Sequence, residues 1–202
     1  MTIKRSVRPL SHQTTKEQIM EIEQTSANAL SHVVAKAIIN APFEKVDIAD
    51  WLLNLPDAEY QKCSINHIAA GATSTYGGQP MSINVEMIGD ALVIQHYVAT
   101  ELRPDYCRML SQSDVIGKNG RTKVQVLWEL KARRIDDNLC EYTNEIHATA
   151  TPEFLEFIAA HGITLAHAAA ARQLASGLHN DEETPLFAKS IERKALTGQY
   201  IY

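Results

Sequence analysis

Residues 81–148 read MSINVEMIGDALVIQHYVATELRPDYCRMLSQSDVIGKNGRTKVQVLWELKARRIDDNLCEYTNEIHA. Turn residues interrupt this stretch at short intervals: Gly89-Asp90, Arg103-Pro104-Asp105, Gly117 to Gly120, and Asp136-Asp137-Asn138, with Gly77-Gly78 just upstream. Asn119-Gly120 is a strong hairpin dipeptide, since both residues tolerate positive φ. Between the turns lie strand-like runs over 65–75, 81–88, 92–102, 106–116, 122–135 and 139–148. Strands joined by such tight turns must be antiparallel neighbours, because a parallel pair needs a long crossover. The expected architecture is a six-stranded up-and-down meander. Alternation within the runs assigns faces. Val124, Val126, Trp128 and Leu130 oppose Lys123, Gln125, Glu129 and Lys131. Cys140, Tyr142, Asn144 and Ile146 oppose Glu141, Thr143, Glu145 and His147. Met81, Ile83, Val85 and Met87 oppose Ser82, Asn84 and Glu86, and the apolar set is expected to face inward. Residues 92–98 are apolar on both faces, so their inward set stays open.

A sheet with one apolar face needs a cover, and only the flanking segments can supply it. Residues 30–40 form a further strand, ended by Asn40-Ala41-Pro42. Pro42 suits the first turn of a helix, Glu44 and Asp47 suit its positive end, and Leu55-Pro56-Asp57 breaks it. A second short helical turn follows at 58–62. After the meander, Thr151-Pro152-Glu153 is an N-cap, first-turn proline and acid in the order a helix start requires. Gly162 ends or kinks that helix. Thr164 opens a long, alanine-rich helix to about residue 178. Thr184-Pro185 repeats the cap signal, so 181–183 is expected to be a polar linker and 184–196 an extra helix. Residues 1–29 read as a partly ordered arm. The domain scheme is therefore an arm over 1–29, a folded domain over 30–180, and an extra helix and tail over 181–202.

Composition excludes several function classes. The net charge of −5 argues against nucleic-acid partners, which need a basic stripe. No run of about 18 apolar residues exists, so no membrane insertion is expected. Cys63, Cys107 and Cys140 are isolated and odd in number, which suits a reducing compartment and a cytoplasmic location. Eight histidines invite a metal reading. However, His147, His161, His167 and His179 show no H-E-x-x-H pattern and no histidine pair four apart, so no metal site and no cofactor is read. Serine-hydrolase elbows, Walker loops and dinucleotide fingerprints are absent.

Residues 35–63, AKAIINAPFEKVDIADWLLNLPDAEYQKC, carry a family resemblance. Pro42, Glu44, Val46, Trp51, Leu55 and Pro56 match an opening pattern of strand, I-x-A-P, a helix beginning P-x-E-x-V, and a closing L-P. With the element order, this resembles the START-like superfamily, also called SRPBCC, over about residues 31–180. Its bacterial polyketide cyclase/dehydrase and lipid-transport group is the most similar. The usual late tryptophan of the pattern is missing, with Tyr60 nearby. The resemblance implies an α+β helix-grip fold: a seven-stranded curved antiparallel sheet, first and last strands paired, around a long C-terminal helix. It also implies an internal pocket between residues 164–178 and the sheet, lined by Val85, Met109, Ser111, Trp128, Tyr142, Asn144, Leu165 and Ala169. The alanines of that helix would leave room for a guest.

Three roles follow from the resemblance. The first is binding of a small hydrophobic molecule: aromatic, polyketide-like or lipid-like. The second is cyclase/dehydrase-type enzymology, in which His96, Tyr142 or Asn144 would orient a carbonyl and move a proton. The third is an interaction domain with a vestigial cavity. Each residue also has a plainer reading: a satisfied core or outward-facing His96, a Trp128 that fills the core, and Tyr142 and Asn144 bonded to neighbouring strands. Ser113 follows Ser111 in the same register, and the plainer reading of both is sheet filler. A homodimer through the C-terminal helix and the tyrosines at 200 and 202 is a further expectation.

Overall fold

Seven strands form one antiparallel sheet in the computed structural model, which describes residues 28–200. They are β1 (Ala29–Ile39), β2 (His67–Ser74), β3 (Pro80–Ile88), β4 (Ala91–Arg103), β5 (Tyr106–Gly117), β6 (Gly120–Asp136) and β7 (Leu139–Ala150). Their order across the sheet is β1-β7-β6-β5-β4-β3-β2, so the meander is as expected and β1 closes onto β7. Most of the arm expected over 1–29 lies outside the described residues, as does Tyr202.

The hairpin at 117–120 differs from its expected geometry. Gly117 pairs with Gly120, so Lys118-Asn119 is the loop. Gly120 has φ +117 and, among the described residues, no non-glycine residue has positive φ, so Asn119 does not use its tolerance. At the β3–β4 turn Gly89 has φ +61, and a Cβ there would lie 3.2 Å from the Cβ of Ala175. A left-handed non-glycine residue costs about 1–2 kcal/mol. Gly89→Ala should therefore lower stability by at least about that much in urea unfolding, and an unchanged midpoint would show that the turn relaxes freely.

Short helices follow β1. The helix expected from Pro42 is split: a single 3-10 turn spans Phe43–Lys45 and α1 spans Ile48–Leu53. Asp47 is the reason, because its side chain accepts from the N–H of Asp50 and caps a new start. Helix α2 covers Asp57–Gln61. After the meander, α3 (Pro152–Ala160) starts as read, with Thr151 Oγ1 accepting from Phe154 N at 3.1 Å.

The largest departure is at the C-terminus. Helix α4 runs unbroken over Leu165–Thr197, with Pro185 inside it. There is no linker at 181–183 and no separate last helix. Pro185 deprives the carbonyl of Asp181 of its usual donor. Asp181 is exposed, so water can serve that carbonyl. Thr184 does not cap; it donates back to Asn180 O at 2.6 Å. Downstream, Phe187, Ala188 and Ile191 are buried, and that packing outweighs the local stop signal.

The sheet's inward face carries the core, with Met109, Val126, Leu130 and Tyr142 fully buried. Helix α4 also covers the free edge of β1. Gln173 Oε1 accepts from His32 N at 2.9 Å and its Nε2 donates to His32 O at 3.0 Å, as a neighbouring strand would. Tyr200 folds onto its own chain, donating to Trp51 O at 2.9 Å. All three cysteines are free and buried. Among the described residues, no single helix is long and apolar enough to cross a membrane.

Candidate functional site

Strand β3 is inverted relative to the alternation reading. Ser82, Asn84, Glu86 and Ile88 are buried, while Met81, Ile83, Val85 and Met87 lie half-exposed on the outer face. Its neighbour β4 turns Val93, Gln95, Tyr97 and Ala99 inward, which puts His96 on the outer face with Val85. The interior beneath α4 is therefore polar on the β3–β4 side. Two alternating sets always admit two assignments, and here side chains from other elements satisfy the polar one.

At the centre stand two carboxylates and two imidazoles, all buried: Glu86 from β3, His67 from the start of β2, and His179 with Glu183 from α4. His67 Nε2 lies 3.1 Å from Glu183 Oε2 and 3.4 Å from Glu86 Oε2. His179 Nε2 lies 3.0 Å from Glu86 Oε2 and 3.4 Å from Glu183 Oε2. Three of the four groups have an outer support. His67 Nδ1 meets Tyr60 O at 2.7 Å, and the Tyr60 ring stacks on His67 at 3.8 Å. Tyr60 Oη donates to Glu86 Oε2 at 2.8 Å. Asn144 Nδ2 donates to Glu183 Oε1 at 3.0 Å, while Asn144 Oδ1 accepts from Trp128 Nε1 at 2.7 Å.

The electrostatics follow from these contacts. Burial alone would raise the Glu183 carboxyl and lower His179. Their hydrogen bonds and charges outweigh it, holding Glu183 well below the carboxylate range and His179 well above the imidazole range. Burial, reinforced by Glu86 and Glu183, raises Tyr60 and Tyr97, so both phenols stay neutral donors.

Beside the cluster lies a cavity of about 20 Å³ lined by Asn84, Glu86, Ile88, Gln95, Tyr97, Trp128, Ile146, Arg172, Ser176, His179 and Glu183. That is room for about one water. Among the described residues, this cavity is far smaller than the roomy apolar pocket expected from the alanine-rich helix. Three polar atoms of its lining residues have no hydrogen-bond partner among the described residues: Arg172 Nε, Ser176 Oγ and His179 Nδ1.

Of the residues expected to line a pocket, Trp128 does so. Asn144 is fully buried and ties Trp128 to Glu183. Tyr142 is fully buried with its hydroxyl unpartnered, and Met109 is core. Ser111 is buried but engaged, accepting from His96 N at 2.8 Å and meeting Ser113 Oγ at 3.0 Å. Leu165 and Ala169 are half-buried against the core near the start of α4. Val85 and His96 are not brought to this site. The residues that sequence reasoning missed are His67, Glu86, Arg172, Ser176, His179 and Glu183. The available signal was the four-residue spacing of His179 and Glu183, which puts both on one helix face.

Neither a family model nor a curated protein matches the sequence. Solved structures do match in shape. The Zhui aromatase/cyclase from Streptomyces sp. R1128 superposes with a TM-score of 0.59 at 10% identity, covering 84% of this chain and 98% of that one. A conserved protein from Geobacillus kaustophilus gives 0.51 at 13% identity, over 81% and 96%. The di-domain ARO/CYC StfQ of the steffimycin biosynthetic pathway gives 0.52 at 12% identity, over 89% of this chain and 61% of that one. The paired first and last strands, the meander and the long helix over the inward face agree with what residues 35–63 implied: this chain has the START-like helix-grip fold.

Proposed function

We propose that the protein binds a small molecule between α4 and the sheet, with a carboxylate or similar polar head toward Arg172 and a hydrophobic body against Ile88, Ile146, Tyr97 and Trp128. The observation that carries this reading is the polar cavity wall. An unpartnered Arg172 Nε and Ser176 Oγ stand on lining residues where close packing would favour apolar side chains. The shared fold of the aromatase/cyclases supports the location and not the guest. A guest larger than water requires the first half of α4 to move outward. That half is the less buried one, with Leu174 and Leu178 both 66% exposed, whereas Phe187 to Ile191 anchor the second half.

The test is thermal unfolding against paired aryl and alkyl carboxylic acids and their methyl esters. An acid at about a hundred times its Kd should add about 2.7 kcal/mol, and its ester less. Arg172→Gln should erase the difference between acid and ester. Silence from every acid and every ester would overturn the reading. The imidazole–carboxylate contacts favour a second reading, cyclase- or dehydrase-type proton transfer, with His179 and Glu86 rather than His96 as the groups to vary. Turnover lost in His179→Gln and kept in His96→Ala would support it.

A further inference from the structure

We propose that His67, Glu86, His179 and Glu183 bind one divalent transition-metal ion, Zn2+ before others, at the floor of the cavity. The proposal does not need the ligand reading, because it rests on the four donor atoms themselves. Two imidazole nitrogens and two carboxylate oxygens converge, with nitrogen–oxygen separations of 3.0, 3.1, 3.4 and 3.4 Å and all four atoms within 4.8 Å of one another. Donors around a tetrahedral Zn2+ with bonds of about 2.0–2.1 Å stand about 3.3–3.4 Å apart. The match is in spacing and in ligand type.

The hydrogen bonding outside the cluster points the same way. Tyr60 O can only accept, so His67 Nδ1 carries the proton in their 2.7 Å contact. With that ring neutral, His67 Nε2 offers a lone pair beside two carboxylate oxygens, a donor set that a metal cation between them would satisfy. Glu86 is held by Tyr60 Oη and Glu183 by Asn144 Nδ2, the outer support that metal ligands require to keep their orientation. Two carboxylates balance one dication. The competing arrangement has two doubly protonated imidazoles and no metal, and it balances the same charge. Experiment separates the two.

Untagged protein, stripped with chelator and then titrated with Zn2+ against a chromophoric chelator, should take up one ion per chain. Elemental analysis after gel filtration should retain it. Co2+ in its place should show the intense visible absorption of a tetrahedral site. Glu183→Gln and His67→Gln should each weaken Zn2+ binding at least a hundred-fold. His147→Gln, in the surface group His32, Glu145 and His147, should leave it unchanged. A folded wild-type protein that retains no stoichiometric metal would overturn the proposal, and so would uptake that follows His147 instead. Should either interior variant fail to fold, the wild-type stoichiometry and the Co2+ spectrum decide alone.

Discussion

Phe187→Ala is expected to destabilise the protein by about 3–5 kcal/mol, the range for removing a buried aromatic ring from a core that cannot collapse around the gap. Phe187 is only 1% exposed and meets four rings: Trp51 edge-on at 5.2 Å, His67 at 5.7 Å, and Tyr60 and Trp128 at 6.4 Å. These neighbours come from α1, the start of β2, α2 and β6. The ring is therefore the joint at which the second half of α4 seats on the rest of the fold. Urea unfolding measures the loss, and Phe187→Leu should recover part of it. A deficit below about 1 kcal/mol for the alanine variant would mean that this half of the helix is not seated as described. Because the ring also backs His67, the same variant should loosen the interior cluster.

The second large effect is expected at Asn144. Asn144→Leu keeps roughly the side-chain volume and removes every polar contact the amide makes. Trp128 Nε1 loses its acceptor at 2.7 Å, Glu183 Oε1 loses its donor at 3.0 Å, and Thr184 Oγ1 loses its donor at 3.1 Å. All of these partners are buried. A buried group left without its partner costs about 1–3 kcal/mol, more when charged, so the variant should lose about 3 kcal/mol or more in total. The contact between Asn180 Nδ2 and Asn144 O involves the backbone and survives. A neutral outcome would show that water reaches these groups. Trp128→Phe probes one arm alone: it leaves Asn144 Oδ1 without its donor and should cost less than Asn144→Leu.

Much of the architecture was legible along the chain. The turn dipeptides, the period-two alternation over 122–148 and the Thr151-Pro152 cap are local signals, and each acts through contacts within a few residues. They led to the meander, to the inward set Val124, Val126, Trp128 and Leu130, and to the start of α3. The inward placement of Trp128 and Asn144 was likewise legible, because polar or aromatic residues in an apolar register stand out.

Two features could not be read that way. The sequence 181–185 has the composition of a linker and a cap, yet α4 runs through it. Glu183 is held by His67 and Asn144, and Phe187 is buried among rings from four other elements. The polar side of β3 faces inward because Tyr60 and His179 reach Glu86 across 26 and 93 residues of chain. Short-range chemistry along the polypeptide thus specified strands, turns and helix starts. Which face of β3 is interior, whether α4 continues past Pro185, and the meeting of His67, Glu86, His179 and Glu183 depended on the folded arrangement. Burial of a charged group becomes tolerable only once its counter-charge has been delivered from a distant segment.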